Sequence, residues 1–391
     1  MNPDQRARRR RHPERSRSSG EARDLPGDRS AKRQSEIHLK GPQASLRVRE
    51  LIFFLAACAI LSTRTALAFG APTSQDAKID APSPVHNDAR AHGTTAPDAL
   101  LESIEADIDA SKFDRAESRL TNFLKDHPDS SEAYYDLGYV QFRTHNVGAS
   151  IRELAKSLEL NPRNAEAHKV LALSCSIIGR YDLAEVELLE AEKLKPDSAE
   201  IRYFLARTYY TRGVYPLAKS EFETAIRLNP SYIKAYSNLG ITLEALGDTG
   251  AALKNYTTAV QLEDRQKQKS EWPYSYLSSF YNRQKNPAQA LVYAQKAIAI
   301  NPESDTVYFE MAKAYRTQKQ LQKAVDAAKS AIAINPQVAD YYYVMGLVLR
   351  ELGNQPESEQ ALQKYAQLQQ HSNEVTPEHK TQEPLFAPEP H

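Results

Sequence analysis

Four prolines, Pro128, Pro162, Pro196 and Pro230, stand 34 residues apart. A fixed period of that length means repeated two-helix units stacked side by side, because one unit cannot bury its own apolar face and needs a neighbour to cover it. A stacked array also escapes the size limit of a single core, so the 391 residues need not divide into several globular domains. The unit is clearest in residues 199–232, AEIRYFLARTYYTRGVYPLAKSEFETAIRLNPSY. Leu205, Ala206 and Tyr209, then Ala218, Phe222 and Ala225, fall three and four residues apart on either side of Gly213. That spacing predicts one apolar stripe on each of two helices. Gly213 permits the turn between them. Asn229-Pro230 ends the second helix, since proline brings no amide donor and its ring clashes with the preceding turn.

This unit resembles the tetratricopeptide repeat, whose pattern is a large residue at position 4, Leu-Gly or Leu-Ala at 7 and 8, an aromatic at 11, Ala at 20, an aromatic at 24, Ala at 27 and Pro at 32. The resemblance implies an all-α fold, a right-handed superhelical solenoid of about eight helix–turn–helix units. In this sequence the units fall at 97–130, 131–164, 165–198, 199–232, 233–266, 271–304, 305–338 and 339–372. The third holds Leu171, Ala172, Gly179, Tyr181, Ala184, Leu188, Ala191 and Pro196; the seventh holds Tyr308, Met311, Ala312, Tyr315, Ala324, Ala331 and Pro336. The first has a degenerate opening helix but keeps Ala116, Leu120 and Pro128. The eighth keeps Tyr342, Gly346 and Gly353 and ends in Leu368-Gln369-Gln370, as a solvent-facing capping unit should. Asp264 replaces the proline of the fifth unit, and Pro302 comes 72 residues after Pro230, two periods plus four. A four-residue insertion therefore lies at 267–270.

The resemblance also implies where a partner binds. First helices line the inner face of the family's superhelix, with positions 2, 5, 9, 12 and 13 pointing inward. Here those positions give Tyr135, Tyr139, Phe142 and Arg143; Lys169 and Ile177; Tyr203, Arg207 and Tyr210; Lys234 and Ile241; Trp272, Asn282 and Arg283; Phe309, Lys313 and Arg316; Tyr343 and Arg350. The expected groove thus mixes aromatic rings with cations, the residue types that dominate binding hot spots. Its expected ligand is an extended peptide or an acidic, partly apolar protein segment. Tyr134, Tyr209, Tyr236, Tyr281 and Tyr315 occupy packing positions instead. The family's carboxylate clamp is missing: Lys169 is followed by Leu173 where Asn is needed, and Asn238 by Trp272 and Tyr276 where Lys and Arg are needed. Trp272, the only tryptophan, follows the insertion and is expected to stand exposed beside Lys267 and Lys269 at the centre of the binding surface. The blander alternative is that Trp272-Pro273 plugs the gap.

Net charge is zero, but residues 1–50 hold 14 Arg plus Lys against 7 Asp plus Glu, so the rest of the chain is acidic by the same margin, −7. That balance argues against nonspecific nucleic-acid binding by the array. Residues 1–46 are rich in Arg, Ser, Pro and Gly and are expected to be disordered. Arg47-Val48-Arg49, the apolar run Leu51–Leu61 and Ala66-Leu67-Ala68 make residues 47–68 read as a secretory signal peptide cleaved after Ala68. The run is too short to span a bilayer, which takes roughly 20 apolar residues. Within it, Leu55-Ala56-Ala57-Cys58 resembles a lipobox, making Cys58 a candidate lipidation site; retention as an uncleaved anchor is a third reading. All three export the array to the periplasm or envelope, with membrane association through this segment. Residues 69–96 read as a linker whose His86 and His92 lack metal-site spacing, and 373–391 as an acidic, proline-rich tail with a candidate docking pair, Leu385-Phe386.

No catalytic motif is present: there is no GxGxxG, GxxxxGK[ST], HExxH, GxSxG or CxxC. His168, at position 4 of its unit, reads as packing; Cys175, at position 11, as a small buried hydrophobe. Glu185, Glu187 and Glu190, with Lys193 and Lys195 nearby, read as a solvated face. The expectation is therefore a non-catalytic protein-interaction scaffold with no metal, cofactor or small-molecule substrate. Two alternatives stay open: a lipid-anchored secretion or outer-membrane assembly factor resembling the repeat-bearing pilotins, and a cytosolic adaptor using an arginine-rich nucleic-acid arm. Oligomeric state is left open.

Overall fold

A computed structural model of the chain describes residues 96–375. The expectations for residues 1–95, signal segment, Cys58 and Ala68 included, lie outside the described residues, as do those for 376–391.

The described residues form sixteen helices and no strand. They pair into eight antiparallel hairpins: α1 (Ala96–Asp109) with α2 (Phe113–Asp126), α3 (Ser131–Arg143) with α4 (Val147–Leu160), α5 (Ala165–Ile177) with α6 (Tyr181–Leu194), and α7 (Ala199–Thr211) with α8 (Tyr215–Leu228). Then come α9 (Ile233–Ala245) with α10 (Thr249–Glu263), α11 (Trp272–Arg283) with α12 (Pro287–Ile300), α13 (Asp305–Thr317) with α14 (Leu321–Ile334), and α15 (Ala339–Glu351) with α16 (Gln355–Val375). The opening stretch that looked degenerate forms α1, because Leu101, Ile104 and Ile108 recur at helical spacing and are buried against the next helix.

Local chemistry repeats with the period. Three first helices, α3, α5 and α7, start on a side-chain cap: the Ser130 and Ser198 hydroxyls accept from Ala133 N and Ile201 N at 3.2 and 3.3 Å, and Asn164 accepts from two amides. Four second helices stop at Asn-Pro, where the side chains of Asn161, Asn229, Asn301 and Asn335 accept the amide two residues on. Each hairpin turn needs one residue in the left-handed region. Gly179, Gly213, Gly247 and Gly353 meet that need, while Ser111, His145, Lys285 and Lys319 occupy the same place at φ 54–63°.

The hairpins close because position 8 is small where position 24 is large. A Cβ on Gly138, Gly240 or Gly346 would stand 2.6–2.8 Å from Leu154, Tyr256 or Leu362. Ala184, Ala218, Ala252, Ala290 and Ala324 at position 20, and Ala191, Ala225, Ala259, Ala297 and Ala331 at position 27, are fully buried between helices. Tyr365 takes that last place in the end unit, packed at a tilt against Tyr343 with ring centroids 5.2 Å apart, so a large ring lies where the other units have a buried alanine.

Each second helix packs against the next first helix, giving a continuous core from Leu101 to Val307 and a second cluster from Ala312 to Leu349. First helices of neighbouring hairpins also touch one another, from α3 with α5 to α13 with α15, whereas second helices have no comparable contact. The first helices therefore lie on the inner, more closely spaced side of a helical solenoid.

Side-chain hydrogen bonds tie down the junction that carries the insertion. Asp264, standing in the missing proline's place, accepts a hydrogen bond from the Tyr274 hydroxyl at 2.6 Å. Glu263 accepts from the Ser270 amide at 2.5 Å, and Asn301 donates to Glu271 at 2.9 Å. No helix of the described residues is long and apolar enough to cross a membrane.

Candidate functional site

The inner face is built from α3, α5, α7, α9, α11, α13 and α15. An inward side chain there must share space with the preceding and following first helix, and large residues lose their exposure. Tyr135, Tyr139, Phe142, Lys169 and Tyr203 are buried, Lys169 completely. These five are corrected from groove-lining to core: the first helices approach closely enough to cover them. The Tyr203 ring packs on Phe204, Phe222 and Tyr232 at 5.0–5.8 Å, and its hydroxyl accepts from Asn238.

A second correction concerns charge, because four of the eight inward cations, Lys169, Arg283, Lys313 and Arg316, are already taken by carboxylates of the same or an adjacent unit. Lys169 lies 2.6 Å from Glu166 and 2.5 Å from Glu200, and Lys195 binds the other Glu166 oxygen at 2.9 Å. Burial pulls the Lys169 pKa down, but the two carboxylates outweigh it and the net shift is upward; burial would raise Glu166, but Lys169 and Lys195 outweigh that and displace it downward. Arg283 clasps Glu244 through both nitrogens at 3.0 and 2.5 Å, and Tyr256 donates to the same carboxylate at 2.7 Å. Glu310 accepts from Asn282 and Lys313, which hold its carboxyl below the usual range despite burial. Arg316 binds Glu351 at 2.7 Å.

The rings and cations that reach solvent gather in a few places. Arg143 lies 4.8 Å above the Phe113 ring and donates to the Tyr139 hydroxyl. Arg207 lies over Tyr203, with half-buried Tyr210 packed on Tyr215 at 5.3 Å. Lys313 stands 4.6 Å over half-buried Phe309, which leans on Tyr341. Trp272 is half-buried in the first turn of α11 against Tyr276 at 6.0 Å, intermediate between the exposed ring and the plug. Ile177, Lys234 and Arg350 are exposed; Ile241, Asn282 and Tyr343 are half-buried. A cation over a half-buried ring, as at Phe113 and Phe309, suits a ligand carrying both carboxylates and apolar groups.

Glu166, Glu200, Glu244 and Glu351 occupy the inward positions 2, 12 and 13 of their units, so their pairing was readable once acids were counted beside cations. Glu187 is corrected as well: it is 3% exposed and its Oε2 lies 2.6 Å from His168 Nδ1, tying α5 to α6. Burial lowers the His168 pKa, but Glu187 and the Pro162 carbonyl outweigh it, so the net shift is upward. Burial pushes the Cys175 thiol up to about 12, far from nucleophile range. Among the described residues no three His, Cys, Asp or Glu side chains are placed to hold a metal ion.

Comparison with solved structures supports the fold. A tetratricopeptide repeat protein from Parabacteroides merdae ATCC 43184 is 16% identical over 65% of this chain and 99% of its own, with TM-score 0.55. A chain of the APC/C hetero-tetramer Cut9-Hcn1 is 18% identical at TM-score 0.54, over 65% of this chain and 48% of that one, so the match spans about half its length. PilW, described as a type IV pilus biogenesis factor, is 13% identical over 55% of this chain and 98% of its own, with TM-score 0.50. These identities speak to fold alone. No curated protein matches the chain. Three family models, each described as tetratricopeptide repeat, match residues 107–173 and 281–348, 178–233, and 221–254, together over half of the sequence. The chain belongs to the tetratricopeptide repeat proteins, whose arrays are protein–protein interaction scaffolds.

Proposed function

We propose that this chain is a non-catalytic scaffold exported to the bacterial cell envelope, which binds an extended, acidic and partly apolar protein segment along its inner face. The observation that carries the binding reading is the recurrence of a cation held over an aromatic ring four residues before it in the same first helix: Tyr139 with Arg143, Tyr203 with Arg207, Phe309 with Lys313. In each pair the ring braces a half-buried cation at the solvent side, where it can meet a ligand carboxylate; Tyr139 and Tyr203 are themselves covered, so of the three rings only half-buried Phe309 can also meet a ligand side chain. The separation of these pairs along the array suits a segment threading several repeats.

The test is selection from a phage-displayed random peptide library on the intact chain. Enrichment of peptides alternating acidic and apolar residues, lost with Phe309→Ala or Lys313→Glu and kept with Lys329→Glu on a second helix, supports the reading. Enriched peptides indifferent to the inner-face substitutions would overturn it. Trp272→Ala belongs in the same panel: lowered thermal stability with unchanged peptide binding would remove Trp272 from the site. Export rests on the apolar run Leu51–Leu61 and its basic flank. The mass of the mature chain tests it, with a start at Phe69 for cleavage, a diacylated Cys58 for the pilotin-like alternative, and an intact Met1 against both.

A further inference from the structure

Charge on the second helices, the outer side of the solenoid, changes character halfway along the array. On α4, α6 and α8 each lysine is answered by a glutamate one turn away: Lys156 by Glu159 at 3.2 Å, Lys193 by Glu190 at 2.7 Å and Lys219 by Glu223 at 3.0 Å. On α10, α12 and α14 the pairing stops. Lys254, Lys296 and Lys329 are exposed, and no carboxylate of the described residues reaches any of them. α12 contains no acid, and α14 contains only Asp326, which accepts from Gln322 at 3.1 Å. Glu263, at the end of α10, is buried and turned to the Ser270 amide. The reversal falls at equivalent places: position 26 is Glu190 in the third hairpin and Lys296 in the sixth, and position 25 is Glu223 in the fourth and Lys329 in the seventh.

The loops add to this charge. At the insertion Arg265 and Lys267 are exposed without a carboxylate partner, and Lys269 stands 3.7 Å from Asp264. With Lys323, the second helices of the fifth to seventh hairpins and the loops after them expose seven cations against three acids, Asp264, Glu303 and Asp326. Apolar groups lie among the cations. Val292, one turn before Lys296, is 44% exposed. Half-buried Tyr293 is stacked on Tyr281 at 5.7 Å and 9°, with the Lys296 ammonium 5.4 Å from its ring centroid.

We propose that the outer face of the fifth to seventh hairpins docks on an anionic phospholipid surface, with Val292 and Tyr293 at headgroup level and Lys254, Lys296 and Lys329 against the phosphates. The outer side of a solenoid suits a broad surface better than a threaded segment. Six of the seven cations are lysines, flexible point charges that answer diffuse charge; the planar fork of arginine, which suits nucleic-acid phosphates, occurs only at Arg265. A tyrosine ring with a neighbouring ammonium and an exposed aliphatic residue is the mixture that partitions to a membrane interface. The face shares no residue with the inner groove, so a membrane and a protein segment can be held at once.

The test uses the full chain with an environment-sensitive fluorescent amino acid in place of Val292, titrated with vesicles of phosphatidylglycerol and phosphatidylcholine. The expected result is a blue shift with these vesicles, none with phosphatidylcholine alone, and none from the same probe at Ser220, the equivalent exposed place on α8. Each lysine at an anionic surface contributes roughly fivefold, so Lys254→Gln/Lys296→Gln/Lys329→Gln should raise the half-saturating lipid concentration roughly 100-fold. Salt at about 0.5 M should abolish the shift. The three lysines are exposed and lie off the inner face, so circular dichroism and peptide selection should be unchanged; the two readings fail separately. Vesicles that bind the chain without shifting the probe at 292, a shift indifferent to the triple substitution, or a shift with polyglutamate or DNA and none with vesicles would overturn the proposal.

Discussion

Gly240→Ala sets two terms against each other whose sizes can be read from the structure. In an ordinary helix interior the change gains about 1 kcal/mol, because alanine loses less backbone freedom than glycine. At this position the new methyl would stand 2.6 Å from one Tyr256 ring carbon and 2.8 Å from two others, so something must move by roughly 0.8 Å to restore ordinary contact. The ring has nowhere to go. It is fully buried against Phe280 at 5.5 Å, and its hydroxyl donates to a Glu244 carboxylate that Arg283 fixes from the next hairpin. Overpacking of this kind costs about 1–3 kcal/mol, and loosening the Tyr256–Glu244 bond about 1 more, so the net loss should be about 2 kcal/mol. Stability in a repeat array is local, so the assay is native-state hydrogen exchange in α9 and α10, where 2 kcal/mol reads as roughly 30-fold faster exchange. Gly148→Ala is the control: it is helical, exposed and has nothing within 4 Å of the new methyl, so it should be neutral or stabilising by up to about 1 kcal/mol. Unchanged or slower exchange in Gly240→Ala, or an equal loss at Gly148, would refute the reasoning.

Ser111→Gly and His145→Gly should each stabilise by about 0.5–1 kcal/mol, read as a raised urea midpoint, because both side chains are held at positive φ where glycine is unstrained. Arg283→Met should cost about 2 kcal/mol by leaving the largely buried Glu244 carboxylate without its cation; Arg283→Met/Glu244→Gln should recover most of that in the same urea assay. The His168 pair makes stability fall with rising pH. The folded pKa is raised, so its contribution is full below the unfolded value of about 6.5 and disappears as pH climbs through the folded pKa. Urea midpoints across that window should decline in the wild type and lose this component in Glu187→Gln.

The repeat positions were legible because they answer to one-dimensional rules: a proline that must end a helix, a small residue facing a large one, a turn residue between the two helices. Even Asp264, the one break in the pattern, proved to serve the junction through Tyr274. Exposure was harder to read. Tyr203 and Lys169 sit at inward positions, yet the spacing between neighbouring first helices decides whether an inward side chain meets solvent or the next repeat, and that spacing is a property of the stack. The same holds for charge. Lys169, Arg283 and Arg316 look like free cations until partners 31 to 39 residues away are brought beside them. His168 with Glu187 was missed for a different reason: a glutamate among other acids on α6 looks solvated, and only hairpin geometry turns it inward.

The claim that the inner face is the binding surface is tested most directly by a hydrogen-exchange footprint of a library-selected peptide on the intact chain. Protection confined to the first helices, strongest around Arg143, Arg207 and Phe309–Lys313 and absent from α4, α8 and α14, is the predicted result. A footprint on the second helices, with the first helices unchanged, would contradict it.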